Sequence, residues 1–306
     1  MTAKQYDRAA EDIGNIVGLE HVNVLVENQV HATLFYVSGL GLTRDPYMMT
    51  SIDNMWVNVG GRSQFHLPTG KPQVLRGRIG LTIPDRASLL RRLGNVKKHL
   101  EGTKYDFVER EDHVEATCPW GNLFRVHEPA PASLSKLAMP YVEFDVSPGA
   151  AKGIAEFYAR IFDAPSRVDS AGKTPAARVS VGLGQQLVFR ETDAKPVPYD
   201  RHHIQVYVAN FSGPHKKLLD RGLITEESNQ YQYRFERIVD LDGNKELFQI
   251  EHEVRSMSNP MYLRPLVNRN PLQNNRNYIP GRDGFVPDHM VAEMDNPRDR
   301  MRDRVG

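Results

Sequence analysis

A long internal repeat constrains this chain more than any single motif. Residues 18–36 read GLEHVNVLVENQVHATLFY and residues 138–158 read AMPYVEFDVSPGAAKGIAEFY. Each stretch alternates apolar and polar side chains, bends, and runs into a helical pattern that closes on Phe-Tyr. Phe35 and Phe157 lie 122 residues apart (157 − 35), and the turns Gly121-Asn122 and Gly243-Asn244 share that offset (243 − 121). Between these landmarks RIGLTIPD, ahead of the helical ASLLRRLG, matches HIQVYVAN, ahead of PHKKLLDRG, at an offset of 125 (203 − 78) that a three-residue loop insertion absorbs. Such a repeat means that one supersecondary unit is built more than once.

Within the first copy, His21 to Val26 alternates as a strand and Val30 to Ser38 reads as a helix, with Gly39 and Gly41 to stop it. Met55 to Val59 and Ser63 to Leu67 form a hairpin around Gly60-Gly61. Arg78 to Ile83 restarts the strand pattern, Asp85 caps a helix to about Arg92, and Leu123 to Val126 follows the Pro119-Trp120-Gly121-Asn122 turn. Each copy is therefore two βαβββ units. The expected class is α+β, with an extension at 1–17, a first domain at 18–128, a Pro- and Ala-rich linker at 129–138, a second domain at 139–254 and an arm at 255–306.

Composition narrows the functional classes. Of 306 residues, 39 are Lys or Arg and 38 are Asp or Glu, so the net charge of +1 offers no global attraction for nucleic acid or an anionic membrane. One cysteine, Cys118, cannot build a disulfide framework within the chain, which suits a reducing, cytoplasmic setting. The N-terminal stretch carries acidic residues and no apolar core, so no signal peptide is expected, and no uncharged apolar run approaches 18 residues. Cys118 is expected to be a structural thiol, Trp56 and Trp120 core and turn residues, and Gly182-Leu183-Gly184 a hairpin, because no helix follows as a phosphate loop requires. No nucleotide cofactor is expected.

His21-Val22-Asn23-Val24 before Phe35-Tyr36 and Leu40-Gly41-Leu42, the matching Val142-Glu143-Phe144 before Phe157-Tyr158, and the closing turns Pro119-Trp120-Gly121-Asn122 and Leu241-Asp242-Gly243-Asn244 together resemble the vicinal oxygen chelate superfamily. That superfamily includes glyoxalase I, bleomycin and fosfomycin resistance proteins and extradiol dioxygenases. The resemblance covers residues 18–253. It implies tandem domains, each a curved mixed sheet around a cavity with helices outside, and a divalent metal in one of the two. It further implies a metal-dependent enzyme, oxidoreductase, lyase or isomerase, acting on a small oxygenated substrate. A metal-free binding or resistance protein is the alternative.

The period of two assigns cavity-facing residues. Val142, Phe144 and Val146 read as the packed side of their strand, leaving Tyr141, Glu143 and Asp145 inward. Likewise His203, Gln205 and Tyr207 face inward opposite Ile204, Val206 and Val208, and Leu247, Gln249 and Glu251 face inward opposite Phe248 and Ile250. The resemblance implies ligands on the first, fifth and eighth strands of a domain. His203 falls on such a position, Glu143 or Tyr141 on the first, and Gln249 or, with a bulge, Glu251 on the last. The expected metal shell is His203, Glu143 and Glu251 holding Fe(II), Mn(II) or Zn(II). Tyr207 or Tyr141 is the expected acid/base or orienting group, and Gln205 and Gln249 are expected to contact substrate.

The corresponding first-copy positions are His21, Arg78 and Arg125. Two cationic side chains suit a carboxylate or phosphate, unless they pair with Asp85 or Glu128. His66 and His127 could join His21 in an imidazole cluster. After Val254 the chain carries Arg but no Lys and is dense in Asn and Pro. Apolar residues at Tyr262, Leu263, Leu266, Leu272, Tyr278, Ile279, Phe285 and Val286 predict an arm that wraps, capping the second cavity or embracing a second subunit.

Overall fold

The computed structural model describes residues 6–48, 52–131, 133, 135–170 and 174–268. In the first copy of the repeat the elements are β1 (Ile16–Asn23), α1 (Gln29–Ala32), β2 (Thr43–Arg44), β3 (Asn54–Val59), β4 (Ser63–Pro68), β5 (Gly77–Thr82), α2 (Arg86–Lys97), β6 (Asp106–Glu109), β7 (Val114–Thr117) and β8 (Leu123–His127). The second copy supplies β9 (Ala138–Val146), α3 (Ala150–Phe162), β10 (Ser166–Asp169), β11 (Ala176–Ser180), β12 (Gln186–Glu191), β13 (His203–Val208), α4 (Ser212–Leu219), β14 (Ile224–Asn229), β15 (Gln232–Val239) and β16 (Glu246–Ser256). The strands form two mixed eight-stranded sheets, ordered β14, β15, β16, β13, β1, β4, β3, β2 and β10, β11, β12, β9, β5, β8, β7, β6. This is the expected tandem α+β architecture, with one difference: each sheet takes four strands from each copy, where the repeat alone suggests one sheet per copy.

Over the described residues the chain divides into two compact units, 6–20 with Tyr141–Tyr262, and His21–Pro140 with 263–268. In the second of these, the helix after β1 begins with the Asn28 side chain accepting from the Val30 and His31 amides at 2.8 and 3.1 Å. It widens into a π-helical turn over Thr33–Gly39, and Phe35 and Tyr36 enter a fully buried aromatic cluster with Phe65 and Phe124. Helix α2 starts at Asp85, whose carboxylate accepts from Ser88 N at 3.0 Å, and runs one turn beyond the expected end at Arg92.

The other unit repeats the device. On α3, Phe157, Tyr158 and Phe162 pack against Phe189 and Phe235, and Phe144 stacks with Phe189 and meets Phe248. At about 1.5–3 kcal/mol for each large side chain removed from water, these clusters are the main stabilising element of each unit. They also explain the Phe-Tyr signature: both residues of each pair are at most 1% exposed.

Of the C-terminal arm, residues up to 268 are described. Arg264 donates to Asp45 Oδ2 at 2.9 Å and to Gln64 Oε1 at 3.0 Å, and Asn58 donates to the Val267 carbonyl at 2.8 Å. The described part of the arm, to residue 268, thus lies against β3, β4 and the residue after β2 through polar contacts. Leu272, Tyr278, Ile279, Phe285 and Val286 lie outside the described residues. Among the described residues, no helix is long and apolar enough to cross a membrane.

Candidate metal and substrate site

Strand β13 separates its side chains as the alternation predicts. Ile204, Val206 and Val208 are fully buried in the core, and His203, Gln205 and Tyr207 take the other face. β16 runs parallel to β13, with His203 opposite Glu251, Gln205 opposite Glu253 and Tyr207 opposite Arg255. Paired residues share a face, so the odd-numbered residues of both strands form one polar surface. His203 Nδ1 lies 3.4 Å from Glu251 Oε1, and Nε2 lies 3.7 Å from Glu253 Oε2.

Two guanidinium groups tie this surface together. Arg234, on β15, bonds Glu251 and reaches Glu253 Oε2 at 2.5 Å. Arg255 takes Glu253 Oε1 at 2.5 Å and Glu20 Oε2 at 3.3 Å. Tyr207 donates its hydroxyl to Glu20 Oε1 at 3.3 Å, and its ring meets Tyr262 edge-on at 4.8 Å. Three carboxylates therefore face two guanidinium groups, leaving one negative charge in surplus. Burial pushes the carboxyls of Glu251 and Glu253 up, against the pull of Arg234 on the first and of Arg255 and Arg234 on the second. Burial, reinforced by Glu20, also raises the Tyr207 phenol, which is accordingly a neutral hydrogen-bond donor. Gln205 is fully buried, and neither end of its amide has a hydrogen-bond partner.

His21 on β1, His203 on β13 and Glu253 on β16 each offer one ligand atom, and those atoms all lie within 4.8 Å of one another. Two imidazoles and a carboxylate are a donor set that suits a first-row divalent ion. The residues present thus fit the divalent metal that the sequence resemblance leads one to expect. Around His21 the ring of Trp56 stands 5.0 Å away and that of His66 5.9 Å away, both edge-on. His66 stacks on Trp56 at 3.8 Å and is held by Asn23 at 2.6 Å and Asn54 at 2.8 Å.

The structure brings together only part of the expected site. His203, Glu251, Gln205 and Tyr207 share the surface just described. Glu143 does not: it lies on β9, in the other sheet, and its carboxylate pairs with Arg190 through bonds of 3.2 and 3.1 Å. Tyr141 sits on β9 opposite Gln186 and is likewise apart from His203. Gln249 is on β16 but donates to Glu236 at 3.1 Å. Arg78 and Arg125 line a cavity on the second sheet. Of their expected partners, Asp85 caps α2 and Glu128 accepts from the Arg86 amide. His127 is on that sheet too, beside His113, so of the three imidazoles expected to cluster, His21 and His66 come together and His127 does not join them. Cys118 is fully buried, as a structural thiol should be.

Glu253, Arg255, Glu20 and Arg234 are the functional candidates that the sequence reading passes over. A signal for two of them exists. The odd-numbered series Leu247, Gln249, Glu251 continues through Glu253 and Arg255 because β16 is 11 residues long, two residues beyond the expected boundary at 254. Bulges against β15, between Phe235 and Arg237 and between Ile238 and Val239, shift the register there.

The two mixed eight-stranded sheets form a fold shared with solved structures of low sequence identity. Solved structures with this fold include a Bacillus subtilis protein assigned as a dioxygenase, 15% identical, with a TM-score of 0.54 over 80% of this chain and 87% of that one. Glyoxalase I from Zea mays is 12% identical, with a TM-score of 0.54 over 78% of this chain and 92% of the maize chain. No protein-family model matches the sequence, and no curated protein matches it.

Proposed function

We propose that the chain is a metal-dependent enzyme acting on a small oxygenated substrate at the surface formed by β1, β13 and β16. The observation that carries this reading is the convergence of His21, His203 and Glu253. Among the solved neighbours, one is assigned as a dioxygenase and another is glyoxalase I, which supports oxygen-chelating chemistry without choosing between oxidoreductase and lyase or isomerase. His21, His203 and Glu253 would hold Fe(II), Mn(II) or Zn(II), with Glu251 beside them. Bound there, the ion would act as a Lewis acid on neighbouring substrate oxygens. Tyr207, whose hydroxyl proton is held by Glu20, would present a neutral phenol oxygen to substrate as an acceptor, and the buried amide of Gln205 offers donor and acceptor atoms.

A metal-free binding protein is the second reading. It is favoured by Arg234 and Arg255, which both already neutralise Glu253. Elemental analysis of protein purified without chelator separates the two. The enzyme reading expects close to one transition-metal equivalent, lost in His203→Ala and Glu253→Gln but retained in Glu143→Gln. Less than about a tenth of an equivalent, with no rise in melting temperature on adding Fe(II), Mn(II) or Zn(II), would overturn it, because an ion that binds only the folded state must stabilise it.

A further inference from the structure

The second sheet carries a site that the reading above does not use. Across β6, β7, β8 and β5 the register sets two rows of side chains on one face. Arg78 stands beside Leu123 and Thr117 in one row, and in the next Arg125 stands between Glu115 and Gly80. These rows line a cavity of about 200 Å³. Gly80, the neighbour of Arg125 on β5, contributes no side chain to that row. Leu123 and Val108 supply apolar walls to the cavity and are 46% and 40% exposed.

The charges are arranged to leave Arg125 available. Its register partner Glu115 is taken by Arg110, whose Nε and Nη2 approach Glu115 Oε2 at 2.9 and 2.8 Å, and this pair holds the Glu115 carboxyl below the usual range. Among the described residues, Arg125 makes no hydrogen bond and no ion pair. A guanidinium presents a planar fork that matches a carboxylate, and a second guanidinium, Arg78, lines the same cavity.

We infer that this cavity is a second ligand site, binding a small organic monocarboxylate with its charge on Arg125 and its apolar body against Leu123 and Val108. The site is independent of the metal reading, since none of its residues belongs to the His203 surface. Calorimetric titration of the full chain with benzoate, benzamide and inorganic phosphate tests it. Benzoate should bind with one-site stoichiometry and a dissociation constant on the order of 1 mM or tighter, and neutral benzamide should bind at least about tenfold more weakly. Arg125→Leu should lose at least about tenfold in benzoate affinity, whereas His203→Ala should leave it unchanged. The inference fails if benzoate does not bind, if benzamide or phosphate binds as well as benzoate, or if benzoate affinity falls in His203→Ala and not in Arg125→Leu. The three-ligand comparison on the unaltered chain decides the matter even if the arginine variant does not fold.

Discussion

Buried polar side chains in this chain act in pairs, and each pair has a testable energy. His252 lies on the packed face of β16, where Phe248 and Ile250 precede it, and stacks on Phe235 at 4.3 Å. Its Nδ1 donates to the Ile250 carbonyl at 2.9 Å, so Nε2 is left to accept from the Tyr158 hydroxyl at 2.6 Å. Burial lowers its pKa to about 4, which keeps the imidazole neutral. Tyr158→Phe or His252→Leu alone leaves the partner's polar atom buried and unpaired, and each should cost about 1–3 kcal/mol; the double variant should cost less than the sum by roughly 1 kcal/mol. Urea unfolding of the four species checks this, and strict additivity would show that the bond contributes nothing. Cys118 offers a second test. Fully buried, and with its thiol pushed up by that burial, it should stay unreactive toward an aromatic disulfide reagent until the protein unfolds. Tyr158 was legible as half of a repeated Phe-Tyr pair, but its partner was not, because a period of two places His252 in the core without saying which atom it meets there.

At the scale of elements, caps and turns were the most legible features. The Asp85 cap of α2 and the Gly60-Gly61 hairpin follow from local chemistry, and both are present. Asp85 holds the left-handed conformation at φ 62 while its carboxylate accepts from the Ser88 amide and hydroxyl. Asp85→Ala should therefore destabilise by about 1–2 kcal/mol, the loss of a cap with added strain, as read by thermal or chemical unfolding. Gly60 carries a constraint that its hairpin does not reveal. At φ +65 its missing Cβ would stand 2.0 Å from the Leu137 carbonyl oxygen, so Gly60→Ala should cost more than about 2 kcal/mol, well above an ordinary glycine replacement. A cost below about 1 kcal/mol would mean that the segment around Leu137 moves aside easily. Strand ends were less legible: the odd-numbered polar series of β16 runs on through Glu253 and Arg255, and nothing local marks where it stops.

For the molecule as a whole, the arm and the assembly of the sheets depend on partners distant in sequence. Asp45 is fully buried and holds the amides of Tyr47 and Met48 as well as Gln64 and Arg264. Removing the cation alone strands a buried carboxylate, so Arg264→Ala should destabilise by roughly 3 kcal/mol, whereas Arg264→Lys, which keeps the charge, should recover part of it. Calorimetric unfolding measures both, and an unchanged melting temperature in the alanine variant would show that the arm adds no stability. The anchor of the arm could not be read from position: nothing near Asp45 in the chain calls for an arginine 219 residues later.

The sequence by itself determined the two-copy α+β architecture, the faces of the strands, the caps, the buried Phe-Tyr pairs and the polar character of His203, Gln205 and Tyr207. These are consequences of periodicity and local hydrogen bonding, which depend on near neighbours along the chain. Tertiary structure decided which strands lie side by side. A strand's pattern tells which face is apolar and leaves its edges chemically equivalent, so the drawing of each sheet from both copies was not encoded locally. That choice separated Glu143, with its partner Arg190, on one sheet from His203, with Glu251 and Glu253, on the other.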